Sequence, residues 1–183
     1  MSRIDQLIAV YTRFIAVPWR DDAAPAQRVV FAVYEEADEL RLRLKIPEFE
    51  LATREAGHNW CLFDLTDTFA TWLSAEKYAQ AYFEEPELLA TLLPSYQDHL
   101  VDRFTAFIAE RKADENTVVT LSGVGSLFGF LKVRDLVERL SPLVSGRLLV
   151  LFPGTCDNNN YRLLDGYDGW NYLAVTLTAS QDL

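Results

Sequence analysis

The residues best spaced for ligand chemistry in this chain lie in SGVGSLFG, Ser122 to Gly129. Glycines between a strand and a helix let backbone amides close around a phosphate. Ser122, Gly123, Gly125, Ser126 and Gly129 therefore form the candidate ligand loop, together with Asp64, which ends the apolar run WCLFD. The match to known phosphate loops is incomplete. G-x-x-x-x-G-K-[ST] wants its second glycine one residue before Gly129, and a lysine where Phe130 stands. G-x-G-x-x-G also misses by one position, because Gly123, Gly125 and Gly129 space as G-x-G-x-x-x-G. The loop reads either as a degenerate nucleotide-binding site or as a tight turn whose glycines permit positive φ and close packing. Asp64 could act in catalysis or hold Mg²⁺; an Asp at such a place also caps the following helix.

A second polar stretch is FPGTCDNNNYRLLDGYDGWNYLAV, Phe152 to Val175. Asp157, Asn159, Asp165 and Asp168 fall at the first, third, ninth and twelfth places of a calcium loop. Tyr161 and Arg162 then occupy the fifth and sixth places, where an oxygen ligand and a glycine are needed. Asn and Asp instead suit turns, since they bond to nearby backbone and tolerate left-handed φ. The stretch reads as a folded connector that exposes a protein-docking surface of Asn159, Asn160, Tyr161, Arg162, Trp170 and Asn171. Tyr, Trp and Arg are the favoured anchors of interfaces. His58, in AGHNW, reads as a turn histidine bonded to backbone, and His99, beside Asp98 and Asp102, as part of a solvated helix face. Glu84, Glu85 and Glu87 bracket Pro86 and read as solvated surface. These residues lead to an expectation of no catalytic residue, no metal site and no cofactor.

Composition narrows the partners. The 183 residues include 17 basic and 27 acidic side chains, a formal charge of -10. Duplex binding draws on Lys and Arg to neutralise phosphates, so no direct nucleic-acid contact is expected. An acidic surface suits solubility or a basic protein partner. Half of the residues are hydrophobic and 13% aromatic, which argues against disorder. Cys61 and Cys156 lack CxxC spacing, and Cys61 lies in an apolar run, a pattern of reduced cytosolic thiols. MSRIDQLIAVYTRF carries charges inside its apolar stripe and is not a secretory signal. No apolar run has the length of a membrane span. The expected location is the cytoplasm.

The positioning elements follow from periodicity. Ile4, Leu7, Ile8, Tyr11, Phe14 and Ile15 form a helical stripe, with Ser2 and Asp5 as a capping box and Pro18 as a stop. RVVFAVY, Arg28 to Tyr34, reads as a strand buried on both faces. A helical stretch from Glu35 follows, bent or interrupted at Pro47 and closed by Gly57. Trp60 to Leu65 is the second strand, with Thr66 or Asp67 capping the next helix. Residues 66–113 read as a helical insertion with breaks at Pro86 and Pro94. Thr117 to Gly123 and Gly146 to Gly154 are strands three and four, around a helix whose inward stripe is Val133, Leu136, Val137 and Leu140. Tyr172 to Leu177 is the fifth, either an antiparallel edge strand or one entered through a short crossover. The expectation is a single α/β domain: a mostly parallel five-stranded sheet, helices on both faces, and a helical insertion between strands 2 and 3.

Several strings together resemble one family. They are AVPW (Ala16 to Trp19), QRVVFAVY (Gln27 to Tyr34), FELATREAGHNWCLFDLTDTFATWL (Phe49 to Leu73), LSGVGSLFGF (Leu121 to Phe130) and RLLVLFPG with NNYRLLDGYDGWNYLAV (Arg147 to Val175). They are similar to BrxB, a small component of bacterial BREX bacteriophage-defence systems. That family often carries an acidic residue after FPG; Thr155 stands there in this chain. The resemblance implies a cytosolic part of a multi-protein machine. In it a methyltransferase (PglX), an ATPase (BrxC) and an alkaline-phosphatase-like protein (PglZ) carry the catalytic motifs. It implies other BREX proteins as partners, a PglZ-like subunit first, and transfers no catalytic residue. The expected role is a non-catalytic assembly factor, and the alternative is a nucleotide-binding domain using Ser122 to Gly129.

Overall fold

The computed structural model describes residues 1–169 and 174–181. Six α-helices are described: α1 (Arg3–Ile15), α2 (Glu39–Glu55), α3 (Thr68–Ala75), α4 (Ala79–Glu84), α5 (Leu93–Glu110) and α6 (Val133–Leu140). The strands are β1 (Val29–Tyr34), β2 (Asn59–Asp64), β3 (Thr117–Ser122), β4 (Arg147–Asp157), β5 (Asn160–Leu163), β6 (Gly166–Gly169) and β7 (Val175–Leu177). β2-β3-β4-β1-β7 is the order across the sheet, and every pairing along it is parallel.

Side-chain alternation splits the sheet into two apolar faces. Val29, Phe31 and Val33 join the core made with α3, α5 and α6, where Tyr96, Leu100, Phe104, Leu136 and Leu140 are buried. Val30, Ala32 and Tyr34 point the other way, into the core made with α1 and α2 through Leu7, Tyr11, Leu42 and Phe49. Continuous burial of β1 and β3 on both faces accounts for their unbroken apolar sequences.

The helix ends show which local signals were obeyed. Ser2 Oγ accepts from the Asp5 amide at 3.2 Å, and Asp5 Oδ2 accepts from the Ser2 amide at 2.9 Å, so the capping box forms. Gly57 closes α2 at φ 86°. α2 runs through Pro47 without interruption, which leaves the bend of the two expected readings. Neither Thr66 nor Asp67 caps α3: Asp67 holds the cap position without a side-chain bond, and the Thr66 hydroxyl donates to Asp64.

The sheet system has seven strands, not five. The two additional strands lie in the Asn-rich stretch expected to be a connector. β4 continues past the parallel sheet, and its last four residues, Gly154 to Asp157, pair antiparallel with β5. Asn158 and Asn159 make the turn, at φ 49° and 64°. Positive φ at both central residues is the geometry that matches strand twist in a two-residue hairpin, and Asn tolerates it best after Gly. β5 then pairs antiparallel with β6. Of the two readings of the last strand, the crossover rather than the antiparallel edge holds. β7 is parallel to β1 at the sheet edge, while Tyr172 and Leu173 lie outside the described residues.

Asp5 carries a pH signature. The Ser2 hydrogen bonds, backbone first, and then Lys45 hold its carboxyl down at about 2, against an ordinary 3.8. A depressed acid stabilises the fold fully above its unfolded value and loses that contribution as pH falls through the folded value. Acid titration followed by far-UV circular dichroism is expected to show a stability loss between about pH 4 and 2 that Asp5→Asn removes.

Candidate functional site

In open α/β sheets ligands sit beyond the carboxyl ends of the strands. Two places on that rim gather polar groups. The first is where β2 and β3 end. Asp64 Oδ1 accepts from the Thr66 amide at 3.0 Å and from the Thr66 hydroxyl at 2.6 Å. Burial pushes the Asp64 carboxyl up, but hydrogen bonds from Thr66 and Ser122 outweigh it and leave the group below its ordinary value. Gly123, at φ 69°, lies against this turn: a Cβ there would stand 2.4 Å from Thr66 Oγ1 and 2.6 Å from the Thr66 amide nitrogen.

The structure thus brings Asp64, Ser122, Gly123 and Ser126 together. Ser126 Oγ donates to the Leu65 carbonyl at 2.9 Å and to the Gly123 carbonyl at 2.7 Å. The amides of Ser126, Phe128, Phe130 and Leu131 bond to carbonyls of the same loop. A short 3-10 turn, Val124–Leu127, follows Gly123, with Val124 and Leu127 fully buried. A Cβ at Gly125 would stand 3.5 Å from Pro153 Cγ, and Gly129 takes φ 82° where nothing crowds it. Four of the amides that a phosphate could use are thus engaged inside the turn.

The second place is the crevice between the carboxyl ends of β1 and β4, adjacent strands whose outgoing chains diverge to α2 and to the β5–β6 hairpin. A cavity of about 370 Å³ lies there, lined among others by Arg3, Tyr34, Glu35, Asp38, Thr155 and Cys156. Arg3 contacts Glu35 through Nη1, and its Nε reaches Asp38 Oδ2 at 3.2 Å. Arg41 approaches the other Asp38 oxygen at 3.5 Å. Tyr34 donates to Glu39, and burial, helped by Glu39, pushes its hydroxyl far up. Sequence reading missed this group because Arg3 and Asp38 are 35 positions apart and belong to different elements. Both acids of the crevice meet an arginine, which leaves a closed ion-pair cluster rather than an open acid.

The Asn/Asp stretch separates into distinct roles. Asp168 is buried, and its carboxylate accepts from the Val133 amide at 2.7 Å and the Arg134 amide at 2.9 Å. It caps α6 from β6. Burial raises its pKa, against the lowering effect of those two amides. Tyr161 was expected at the surface; it is buried at 2% exposure, with its ring against Phe31 and Phe152 and its hydroxyl on Thr176. Alternation along β5 explains this, since Tyr161 and Leu163 face inward while Asn160 and Arg162 face out. Asn159, Asn160 and Arg162 are exposed; Trp170 and Asn171 lie outside the described residues. The exposed aromatic that sequence reading missed is Tyr167 on β6, 53% exposed, with Lys132 Nζ 5.8 Å from its ring centre.

The histidines also find partners. His58 Nδ1 bonds the Asn116 side chain at 2.6 Å rather than backbone, and its ring stacks on Trp19 at 3.8 Å. The Arg147 guanidinium lies 4.7 Å from the centre of the same indole. His99 on α5 is half-buried and lines an open cavity with Arg103 and with Thr71 and Trp72 of α3. Burial pushes the Cys61 thiol up to about 11. Among the described residues, no three His, Cys, Asp or Glu side chains are grouped to hold a metal ion, and no helix is long and apolar enough to cross a membrane.

Comparison with protein families decides the wider context. The family model for the BREX protein BrxB matches residues 63–177, more than half of the chain. The chain belongs to the BrxB family. It is therefore a component of the BREX bacteriophage-defence machinery, as the sequence strings implied. No curated protein and no solved structure gives a significant match. The BrxB segment runs from the end of β2 to β7, so it holds the Asp64–Gly123 turn, the Asp168 cap and the hairpin, whereas α1, β1, α2 and most of β2 precede it.

Two substitutions test whether these polar groups serve the fold. Asp168→Ala removes two charge-assisted bonds at a buried helix end, an expected loss of about 2–4 kcal/mol. Gly123→Ala adds a backbone clash to the ~1–2 kcal/mol of a left-handed residue. Both are read by urea unfolding against the unmodified protein.

Proposed function

We propose that the chain works without turnover, as an assembly factor that holds other BREX proteins together, with a PglZ-like subunit as its first partner. The observation that supports this most is the condition of the carboxyl rim. Asp64 is engaged by Thr66, four amides of the glycine loop close on its own carbonyls, and Glu35 and Asp38 are held by Arg3. Groups that could bind or attack a substrate instead stiffen the scaffold. What faces outward is the hairpin, with Asn159, Asn160, Arg162 and Tyr167 on its exposed side. An Arg–Tyr pair on a rigid hairpin is a suitable anchor for a protein surface, and the charge of -10 favours a basic one.

The decisive experiment is affinity capture of the tagged chain from cells carrying the intact defence operon. The expected result is co-recovery of other BREX proteins, the PglZ-like subunit most abundantly. Recovery of the chain alone, with defence still lost on its deletion, would overturn the proposal. Arg162→Glu combined with Tyr167→Ala is expected to reduce co-recovery while the unfolding free energy moves by no more than about 1 kcal/mol.

The nucleotide reading makes an opposite forecast. Titration calorimetry with ATP, GTP and NAD at millimolar concentration is expected to give no binding heat. A saturable heat lost on Ser126→Ala would favour the glycine loop as a ligand site.

A further inference from the structure

α2 is apolar on two opposite sides. Leu42, Phe49 and Ala52 face the sheet and are buried. Leu40, Leu44 and Leu51 face away, at 78%, 82% and 55% exposure, and Pro47 between them is also exposed. Residues 40, 44, 47 and 51 are spaced four, three and four apart, the spacing of a single seam along a helix. Isolated apolar residues at a surface need no explanation, but a contiguous seam marks an interaction site.

We propose that this seam is a homodimer interface in which α2 packs antiparallel against α2 of a second copy. The charges beside the seam select that occupant. Arg41 and Arg43 lie in its amino-terminal half, and Glu48 and Glu50 in its carboxyl-terminal half. At 100° per residue, Arg43 and Glu50 border one edge of the seam, and Arg41 and Glu48 the other. Antiparallel pairing about a two-fold axis between Lys45 and Ile46 sets Leu40 against the second copy's Leu51, and Leu44 against its Pro47. The same axis brings Arg43 to Glu50 and Arg41 to Glu48, and the symmetry forms each pair twice. Parallel pairing would instead set arginines beside arginines and glutamates beside glutamates, which is unfavourable. All four flanking charges already have intrachain partners, Arg43–Glu39 at 2.7 Å, Arg54–Glu50 at 2.8 Å, Lys45–Glu48 at 2.6 Å and Arg41–Asp38 at 3.5 Å; the flanking side chains themselves stay exposed or half-exposed, and surface pairs of this kind are weak competitors. The interface is isologous and stops at two chains. It lies outside the hairpin and the Asp64–Gly123 turn, so it stands whether or not the assembly role does.

Sedimentation equilibrium of the isolated full-length chain, from micromolar concentration upward, reads the mass directly. The expected result is a two-chain mass that dissociates on dilution. Leu44→Asp, at a site exposed enough to leave the fold intact by circular dichroism, is expected to weaken association at least ~tenfold. Arg43→Glu should weaken it as well, and adding Glu50→Arg should restore it. Orientation is read by cysteine pairs in a Cys156→Ser background, since Cys61 is buried. Leu40→Cys combined with Leu51→Cys should cross-link two chains, and Leu40→Cys alone should not. A one-chain mass at every concentration, a dimer indifferent to Leu44→Asp, or cross-linking by Leu40→Cys alone would each overturn the proposal.

Discussion

β4 carries two hydrogen-bond ladders of different kinds, and the rest of the molecule is arranged around that fact. Its first part is the centre of the parallel sheet, bonded to β3 on one side and β1 on the other. Its last four residues leave that plane and pair antiparallel with β5. The change occurs at Pro153–Gly154. Gly154 permits it because a Cβ there would stand 1.9 Å from the Arg162 carbonyl oxygen. The hairpin is thereby fixed over one end of the sheet. That fixation places Tyr161 between Phe31 and Phe152 and delivers Asp168 to the amino end of α6.

The glycine loop and α6 show how such a constraint redirects polar chemistry. A helix beginning with Val133 and Arg134 has free amides at its start. Here a carboxylate from a distant strand satisfies two of them. The same economy holds at Asp64 and Asp38, each engaged by a neighbour in the fold. The polar side chains of the rim act as internal fasteners.

Legibility from sequence followed the range of the interaction. β1, β3 and β4 were readable because strands buried on both faces have continuous apolar residues, and α1 because its capping box and stripe are local. β5 and β6 were hidden. The residues of the turn from β4 into β5, Asn158 and Asn159, are visible in sequence, but four-residue strands give too little alternation to separate a hairpin from a connector. Asp168 and Arg3 were opaque for another reason: their partners lie 35 residues away, and no local pattern announces them. The outward leucines of α2 were overlooked because Arg41, Arg43 and Lys45 alternate with them, so the segment reads as merely polar. Two seams on one helix become visible only when the inner one is known to be occupied.

Cys156 occupies an unusual position. It sits at the root of the hairpin, half-exposed, and also borders the crevice at the end of β1. The second thiol, Cys61, is sealed inside the sheet. Chemical labelling therefore has a single accessible address, at the junction of the hairpin with the rest of the molecule. Because Cys156 pairs with the inward-facing Tyr161, the speed of its alkylation becomes a built-in gauge of how open the crevice beside it stands.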